Sequence, residues 1–357
     1  MSNEPLQVGI IGADTRASWS QVSHVPAVRA LDGFALAAVA TRREESAREA
    51  AAAFGARTWY ADPAALIRDD SIDIVTIAVR VPAHHDLVLA ALEAGKTVYC
   101  EAPLGVSPEQ TRALAAAAGP GRHLIGLQGR LNPAVRRAAQ VIADGGIGRP
   151  LHARIVSTSS GFGPVTASAY DYFERADAGA NLVTITAGHT LDIAEAVLGD
   201  LAEVDARAAT MWPRPVLADT GGTAVREVPD HLDVLGTTAD GTVLAASVLG
   251  GVAPEEATFR FELRGTEGWL SLTGGSLYGV QAGDLTLTSS AAFEAPDAPA
   301  AKGMAAGPAL NVAEAYATLL RPGLAGPDFA LAVHNSELTA AVARAAATGE
   351  RVTRIHG

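Results

Sequence analysis

The sequence predicts an α/β protein in which a doubly wound parallel sheet is followed by an α+β domain built on a large, open, mainly antiparallel sheet. Three observations predict it. From Leu6 to Gly129, short continuous apolar runs alternate with Ala-rich helical stretches, as parallel strands covered on both faces do. After Gly148–Arg149–Pro150 the pattern changes to alternation of apolar and polar residues, the mark of antiparallel strands with one wet face. The 357 residues, 48% hydrophobic and 18% charged, suit a globular chain long enough for two domains. We place these at residues 1–127 and 128–357.

In order, "LQVGIIG" is a buried strand, and a helix follows around Gln21 to Ala30. "FALAAVA" is the second strand, and "REESAREAAAAFG" is a helix closed by Gly55. "IDIVTIAV", "PAHHDLVLAALEAGK", "TVYC", "SPEQTRALAAAAG" and "HLIGLQG" repeat strand, helix, strand, helix, strand. Right-handed crossovers make this a doubly wound sheet, with ligands beyond the carboxyl ends of its strands. In the second domain "LHARIVSTSSG", "AEVDARAATMW", "LDVLGTTADGTVLAASVLGG" and "FRFELRGTEGWLSLTGG" are strands, with turns at Asp240–Gly241 and Glu267–Gly268. Helices are expected from His189 to Leu198 and over the last thirty or so residues. "SSAAFEAPDAPAAKGMAAGPAL", rich in Ala, Pro and Gly, reads as a long loop rather than a domain linker. One face of such a sheet carries helices; the other needs a cover or a partner.

A formal charge of −12 without a basic stripe argues against nucleic acid as partner. One cysteine, Cys100, forms neither an internal disulfide nor a thiolate metal cluster, which points to a reducing compartment. "MSNEPLQVGI" lacks the features of a secretion signal, and no apolar run spans a bilayer, so a cytoplasmic protein is expected.

The loop after the first strand, "GIIGADTRASWSQVSHVPAV", matches a dinucleotide fingerprint weakly. Gly12 serves as the tight-turn glycine and Ala13 follows, but Asp14 stands where the second glycine belongs, and the third is missing. An ordinary strand–loop–helix reads equally well. After the second strand, Thr41 and Glu44 have capping-box spacing, which puts Arg42 and Arg43 in the first helical turn, where the dipole disfavours cations. Arginines there suit the 2′-phosphate of NADP, whereas an acid would suit NAD; two solvated surface arginines are the alternative.

Taken together, "SHVPAV", "VRVPAHHDLVLAALEAGKTVYCEAPLG", "GRLNPAVRRAAQVIADGGIGRP", "FRFELRGTEGWLSL" and "DFALAVHNSELTAAVARAAATGERV" resemble, in order and spacing, the glucose–fructose oxidoreductase, inositol dehydrogenase and rhizopine-catabolism (Gfo/Idh/MocA) family. Ser18–Trp19 after the lengthened loop and "LVTITAGHTLDIAEAVLG" resemble its branch containing the galactose-pathway repressor of yeasts. The resemblance implies a dinucleotide-binding first domain, a second domain for substrate and oligomerisation, and a homodimer or homotetramer. It implies that Gly12, Ala13, Asp14, Trp19, Thr41, Arg42, Arg43, Val81, Pro82, His85, Glu101, Ala102 and Gln128 lie along the dinucleotide, with NADP(H) favoured over NAD(H) by the loop arginines. The family's lysine maps to Ala102, its histidine to His189, and an expected aspartate to Ile185; Asp192 is retained.

With a helix starting near Thr186, His189 would lie in the first turn, where the dipole keeps imidazole neutral. It would then act as acid/base, with Asp192 at i+3 orienting it; the alternative is a pair that caps the helix and ties the domains together. Arg130 and Asn132 are substrate candidates, or a buried domain link. Tyr170 and Tyr172 either overhang a pocket or anchor the core. Adjacent His84 and His85 make no metal site, and none is expected elsewhere. The first expectation is an NAD(P)-dependent oxidoreductase acting on a sugar, inositol or related polyol. The second is a redox-silent regulatory protein that binds dinucleotide, sugar and a protein partner. The third is a redox-neutral enzyme that recycles its cofactor internally.

Overall fold

The structure is a computed structural model that describes residues 4–16, 18–119, 122–304, 307–321, 323–353 and 355. The chain divides into two compact units, residues 1–128 with 299–333, and residues 129–298 with 334–357.

In the first unit six strands, β1 (Leu6–Ile11), β2 (Phe34–Ala40), β3 (Thr58–Tyr60), β4 (Ile74–Ile77), β5 (Thr97–Cys100) and β6 (Leu124–Ile125), form one parallel sheet in the order β3-β2-β1-β4-β5-β6. The helices between them are α1 (Trp19–Val22), α2 (His24–Ala30), α3 (Glu44–Phe54), α4 (Pro63–Ile67), α5 (His84–Glu93) and α6 (Pro108–Ala118). Burial on both faces explains the unbroken apolar strands: Val8, Ile10, Val39, Val75, Ile77 and Val98 are all inaccessible or nearly so. Strand order reverses between β1 and β4, the position where such sheets open a crevice at their carboxyl ends.

The second unit begins with α7 (Pro133–Ala143). Its sheet contains β7 (Pro150–Thr158), β9 (Leu201–Ala209), β11 (His231–Thr238), β12 (Val243–Leu249), β13 (Phe259–Gly265), β14 (Trp269–Gly274) and β15 (Leu285–Ser289), ordered β15-β14-β13-β7-β12-β11-β9. A separate pair, β8 (Val165–Thr166) and β10 (Val216–Leu217), lies outside it. Every neighbouring pair of the large sheet is antiparallel except β7 and β12. The predicted alternation follows: Leu232, Val234, Phe259, Phe261, Leu270 and Leu272 face the core, where they meet α7, α8 (Gly188–Leu198) and the closing helix.

The sequence assigns everything after residue 127 to the second domain, but α9 (Pro308–Thr318) packs on α2 in the first unit before α10 (Phe329–Thr348) carries the chain back. The Ala/Pro/Gly-rich stretch read as a plain loop therefore contains the crossing between units, at 298/299.

One buried ion cluster fixes a long irregular stretch of the second unit. Arg226, with no exposed side-chain surface, pairs with Glu174 and with Asp230 at 2.9 Å, and donates to the carbonyls of Phe162 at 2.7 Å and Gly163 at 3.0 Å. Asp230 also accepts from the backbone N–H groups of Met211 and Trp212. Arg226→Met would strand two buried carboxylates. Chemical denaturation should show a loss of about 3–5 kcal/mol, the cost of unpairing a buried charge.

Candidate functional site

The loop after β1 keeps one feature of a phosphate-binding turn. Gly12 has φ +96°, and a Cβ there would lie 2.2 Å from the Ala78 carbonyl oxygen, so only glycine lets the loop pass β4. Asp14 binds its own loop: its carboxylate accepts from the Arg16 backbone and guanidinium, which neutralise its charge and hold its pKa below the usual range. Ser18 caps α1 by accepting from Gln21, so the helical stretch starts at Trp19, slightly before the Gln21 expected from the sequence.

The predicted capping box is absent. Thr41 Oγ1 bonds to the Arg43 carbonyl at 3.0 Å and to Ser46 Oγ at 2.6 Å, and the N-cap of α3 is Arg43. Arg42 and Arg43 therefore precede the helix, whose first turn holds Glu44 and Glu45, and both arginines are exposed and without an ion pair among the described residues. The dipole conflict that made them conspicuous does not arise.

Val81 and Pro82 start a 3₁₀ turn after β4. His84 is buried between the carbonyls of Pro103 at 2.9 Å and Val79 at 3.0 Å, and burial pushes its pKa down, so it braces the loops. His85 is the solvent-facing one, 2.8 Å from Asp86. After β5, Ala102 precedes Pro103 in a cis peptide. Glu101 Oε1 lies 2.8 Å from Nε2 of His24, a wholly buried residue that sequence analysis passed over. The signal was one imidazole on the apolar face of a short helix. Past β6, the Gln128 amide is fully buried, with neither its oxygen nor its nitrogen bonded to protein among the described residues. A glycine that admits close backbone approach, a carboxylate at one strand end and a partnerless buried amide at another fit a dinucleotide along this edge.

In the second unit His189 is not at a helix start. Asn181 caps the helix, accepting from Val183 and Thr184, and a π-helical stretch, Leu182–Ala187, runs into α8. His189 thus lies about two turns inside, 4% exposed, and the dipole argument for its neutrality fails. The β-branched run "LVTIT" hides this start, because it reads as strand rather than helix; π segments of this kind gather at functional sites.

Asp192 is 1% exposed. Its Oδ1 stands 3.5 Å from Arg130 Nη1, and its Oδ2 has no hydrogen-bond partner among the described residues. Burial pushes its pKa up to about 7, with Arg130 opposing and Glu195 adding to the rise. Asp192 therefore has Arg130 as a charged partner. Asn132, predicted to meet substrate, caps α7 through Ala134 and is buried. Tyr170 and Tyr172 flank Phe173, with Tyr170 stacked on it at 6.2 Å and Tyr172 at 4.1 Å. Glu195, Asp200 and His334 come within 4.8 Å of one another. Glu195, however, is spent on His334 at 2.7 Å and the Leu201 N–H at 2.9 Å.

Residues 6–122 match the model of the oxidoreductase family with NAD-binding Rossmann fold, and residues 133–274 match that of the Gal80p C-terminal domain. The chain belongs to the Gfo/Idh/MocA family. Dehydrogenase aclE of Aspergillus oryzae is 29% identical, covering 76% of this chain and 78% of its own. The galactose/lactose metabolism regulatory protein GAL80 of Saccharomyces cerevisiae is 28% identical over 76% of this chain and 67% of its own; a super-repressor mutant of Gal80p superposes with TM-score 0.86, at 22% identity and 98% coverage of both chains. Levoglucosan dehydrogenase in complex with NADH and L-sorbose superposes with TM-score 0.80, at 24% identity, over 97% of this chain and 98% of its own.

The raised pKa of Asp192 sets a pH dependence. The carboxyl titrates near pH 4 when unfolded and near 7 when folded, so the folded protein holds the extra proton between them. Stability contributed by the neutral carboxyl is full below about pH 4 and lost as pH rises through about 7, on the order of 4 kcal/mol in all. Asp192→Asn should remove this component, so its denaturation midpoint should fall less than the wild type's between about pH 5 and 8.

Proposed function

We propose that the protein is an NAD(P)-dependent dehydrogenase of a sugar, inositol or related polyol, working without the family's lysine at Ala102. The observation that carries this is Asp192, a buried carboxyl with one oxygen lacking a hydrogen bond among the described residues and a pKa of about 7, three residues from His189 on one helix. A base poised near neutrality is what alcohol oxidation needs. The bound nicotinamide supplies the hydride acceptor. His189 and Asp192 form the acid–base pair that takes the hydroxyl proton, Arg130 keeps Asp192 from being driven wholly neutral, and Tyr170 and Tyr172 border the substrate. Gly12, Ala13, Trp19, Thr41, Val81, Pro82, His85, Glu101 and Gln128 line the dinucleotide. The dehydrogenases aclE and levoglucosan dehydrogenase among the relatives support this reading.

A screen of sugars and polyols, followed by absorbance at about 340 nm, the band of reduced nicotinamide, should find turnover. His189→Ala should lower kcat by about 10²–10⁴-fold while leaving dinucleotide affinity unchanged. Substrate-dependent absorbance change that persists in His189→Ala would contradict the assignment.

Arg42 and Arg43, exposed before α3, support NADP(H) over NAD(H). Arg42→Ala/Arg43→Ala should weaken NADPH binding about tenfold or more in a fluorescence titration and leave NADH binding within about twofold. Equal losses for both cofactors would count against the preference.

Ala102 and the likeness to Gal80p favour a second reading, a redox-silent sensor of dinucleotide and sugar that engages a protein partner. Binding of both ligands by calorimetry without turnover of any carbohydrate would select it. For either reading we propose a homodimer or homotetramer through the outward face of the large sheet, where Val156, Leu235, Val243 and Trp269 are each at least one-third exposed.

A further inference from the structure

Behind Glu101 runs a buried hydrogen-bond chain that no step of the proposed reaction uses. Glu101 Oε1 is 2.8 Å from His24 Nε2; His24 Nδ1 is 3.0 Å from the Tyr316 hydroxyl; and that hydroxyl is 2.6 Å from Thr76 Oγ1. A carboxylate only accepts, so Nε2 carries the hydrogen. In the neutral ring Nδ1 then accepts from Tyr316, whose oxygen accepts from Thr76. His24, Tyr316 and Thr76 are wholly buried, while the Glu101 side chain keeps 15% of its surface. The chain therefore reaches solvent only through Glu101. It can orient that carboxylate but has no exit by which to conduct a proton away.

Two further features fix the carboxylate. The His24 ring is held edge-on by Tyr99 at 4.9 Å and Tyr316 at 5.8 Å between centroids, so it has no room to turn away from Glu101. Across from it, a Cβ at Gly126 would stand 2.9 Å from both the carboxyl carbon and Oε2 of Glu101, so Gly126 leaves the space that Oε2 occupies. Oε2 has no protein hydrogen bond among the described residues, and it lies beyond the end of β5, beside the strand-order reversal. Tyr316 comes from α9, the helix that returns to this unit after the chain has built most of the other. This gives the returning segment a task at the carboxyl edge of the sheet.

We propose that His24 and Tyr316 are positioning residues. They hold Glu101 with Oε1 occupied and Oε2 presented, so that Oε2 accepts a hydroxyl of the bound dinucleotide's ribose. The inference rests on the dinucleotide reading above. The carboxylate is held at one oxygen by a donor that cannot leave, so the ligand meets a preordered acceptor and loses less rotamer entropy on binding.

The test uses the full chain and titrates NADH and NADPH against four variants. Glu101→Ala removes the acceptor. His24→Asn keeps a group near Nδ1 for Tyr316 but loses the donor to Glu101, and His24→Gln keeps the donor near Nε2. Tyr316→Phe removes only the hydroxyl. Glu101→Ala and His24→Asn should each weaken binding about tenfold, as loss of a hydrogen bond to a charged group does. His24→Gln should stay within about threefold of wild type, and Tyr316→Phe should fall between. In the Glu101→Ala background, His24→Asn should cost nothing further, because it acts only through Glu101. Additive losses in that double variant would overturn the proposal. So would His24 variants whose melting temperatures fall while dinucleotide affinity holds. Failure of the wild type to bind either dinucleotide would instead sink the dinucleotide reading, and the proposal with it.

Discussion

A carboxyl group taken out of water has three ways to remain: to be paired, to be fully hydrogen-bonded, or to hold its proton. Asp192 has a partial version of the first and little of the second. Arg130 stands at 3.5 Å, long for a tight ion pair, and one carboxyl oxygen has no hydrogen bond among the described residues. The third therefore operates near neutrality. A protein selected only for stability would gain by replacing such a group with an apolar one of similar size. Keeping it accords with a need for a proton acceptor tuned to physiological pH.

The same logic runs through the rest of the molecule. Charges are buried where they are multiply satisfied, as at Arg226 with Glu174, Asp230 and two carbonyls. Glu101 is anchored at one oxygen, and the other has no protein hydrogen bond among the described residues. The contrast between a saturated cluster and incompletely satisfied groups separates frame from function more sharply than residue type does. Asn132 has the chemistry of a sugar ligand, yet its side chain caps a helix. Gln128, four positions earlier, has no protein partner for its amide among the described residues.

Much of the architecture was legible in the sequence because burial on two faces or one face imposes periods that survive in a single chain. Five apolar runs became five of the six parallel strands, the short β3 having no such run, and the alternating segments became the large sheet. What escaped was information carried by distant contacts. Thr41 and Glu44 have the spacing of a capping box, but Ser46 and the Arg43 carbonyl engage the threonine hydroxyl first. "LVTIT" has strand propensity, and the Asn181 cap with packing around Leu182 and Val183 overrides it. The return of α9 to the first unit has no local signature, so neither did the partnership of Tyr316 with His24. The resemblance drew attention to His189 and Asp192, but the near-neutral carboxyl depends on Arg130 and on burial that only the fold supplies.

The proposed lysine-free chemistry depends on the protonation of Asp192, and the carbon-13 resonance of its side-chain carboxyl reports it. With aspartate labelled at that carbon and the signal assigned by its loss in Asp192→Asn, a titration from about pH 4 to 9 should give a midpoint near 7, well above the ordinary value of about 3.9. A midpoint near 4 would show a carboxylate already ionised at neutral pH. The proposed proton acceptor, and with it the lysine-free mechanism, would then be wrong.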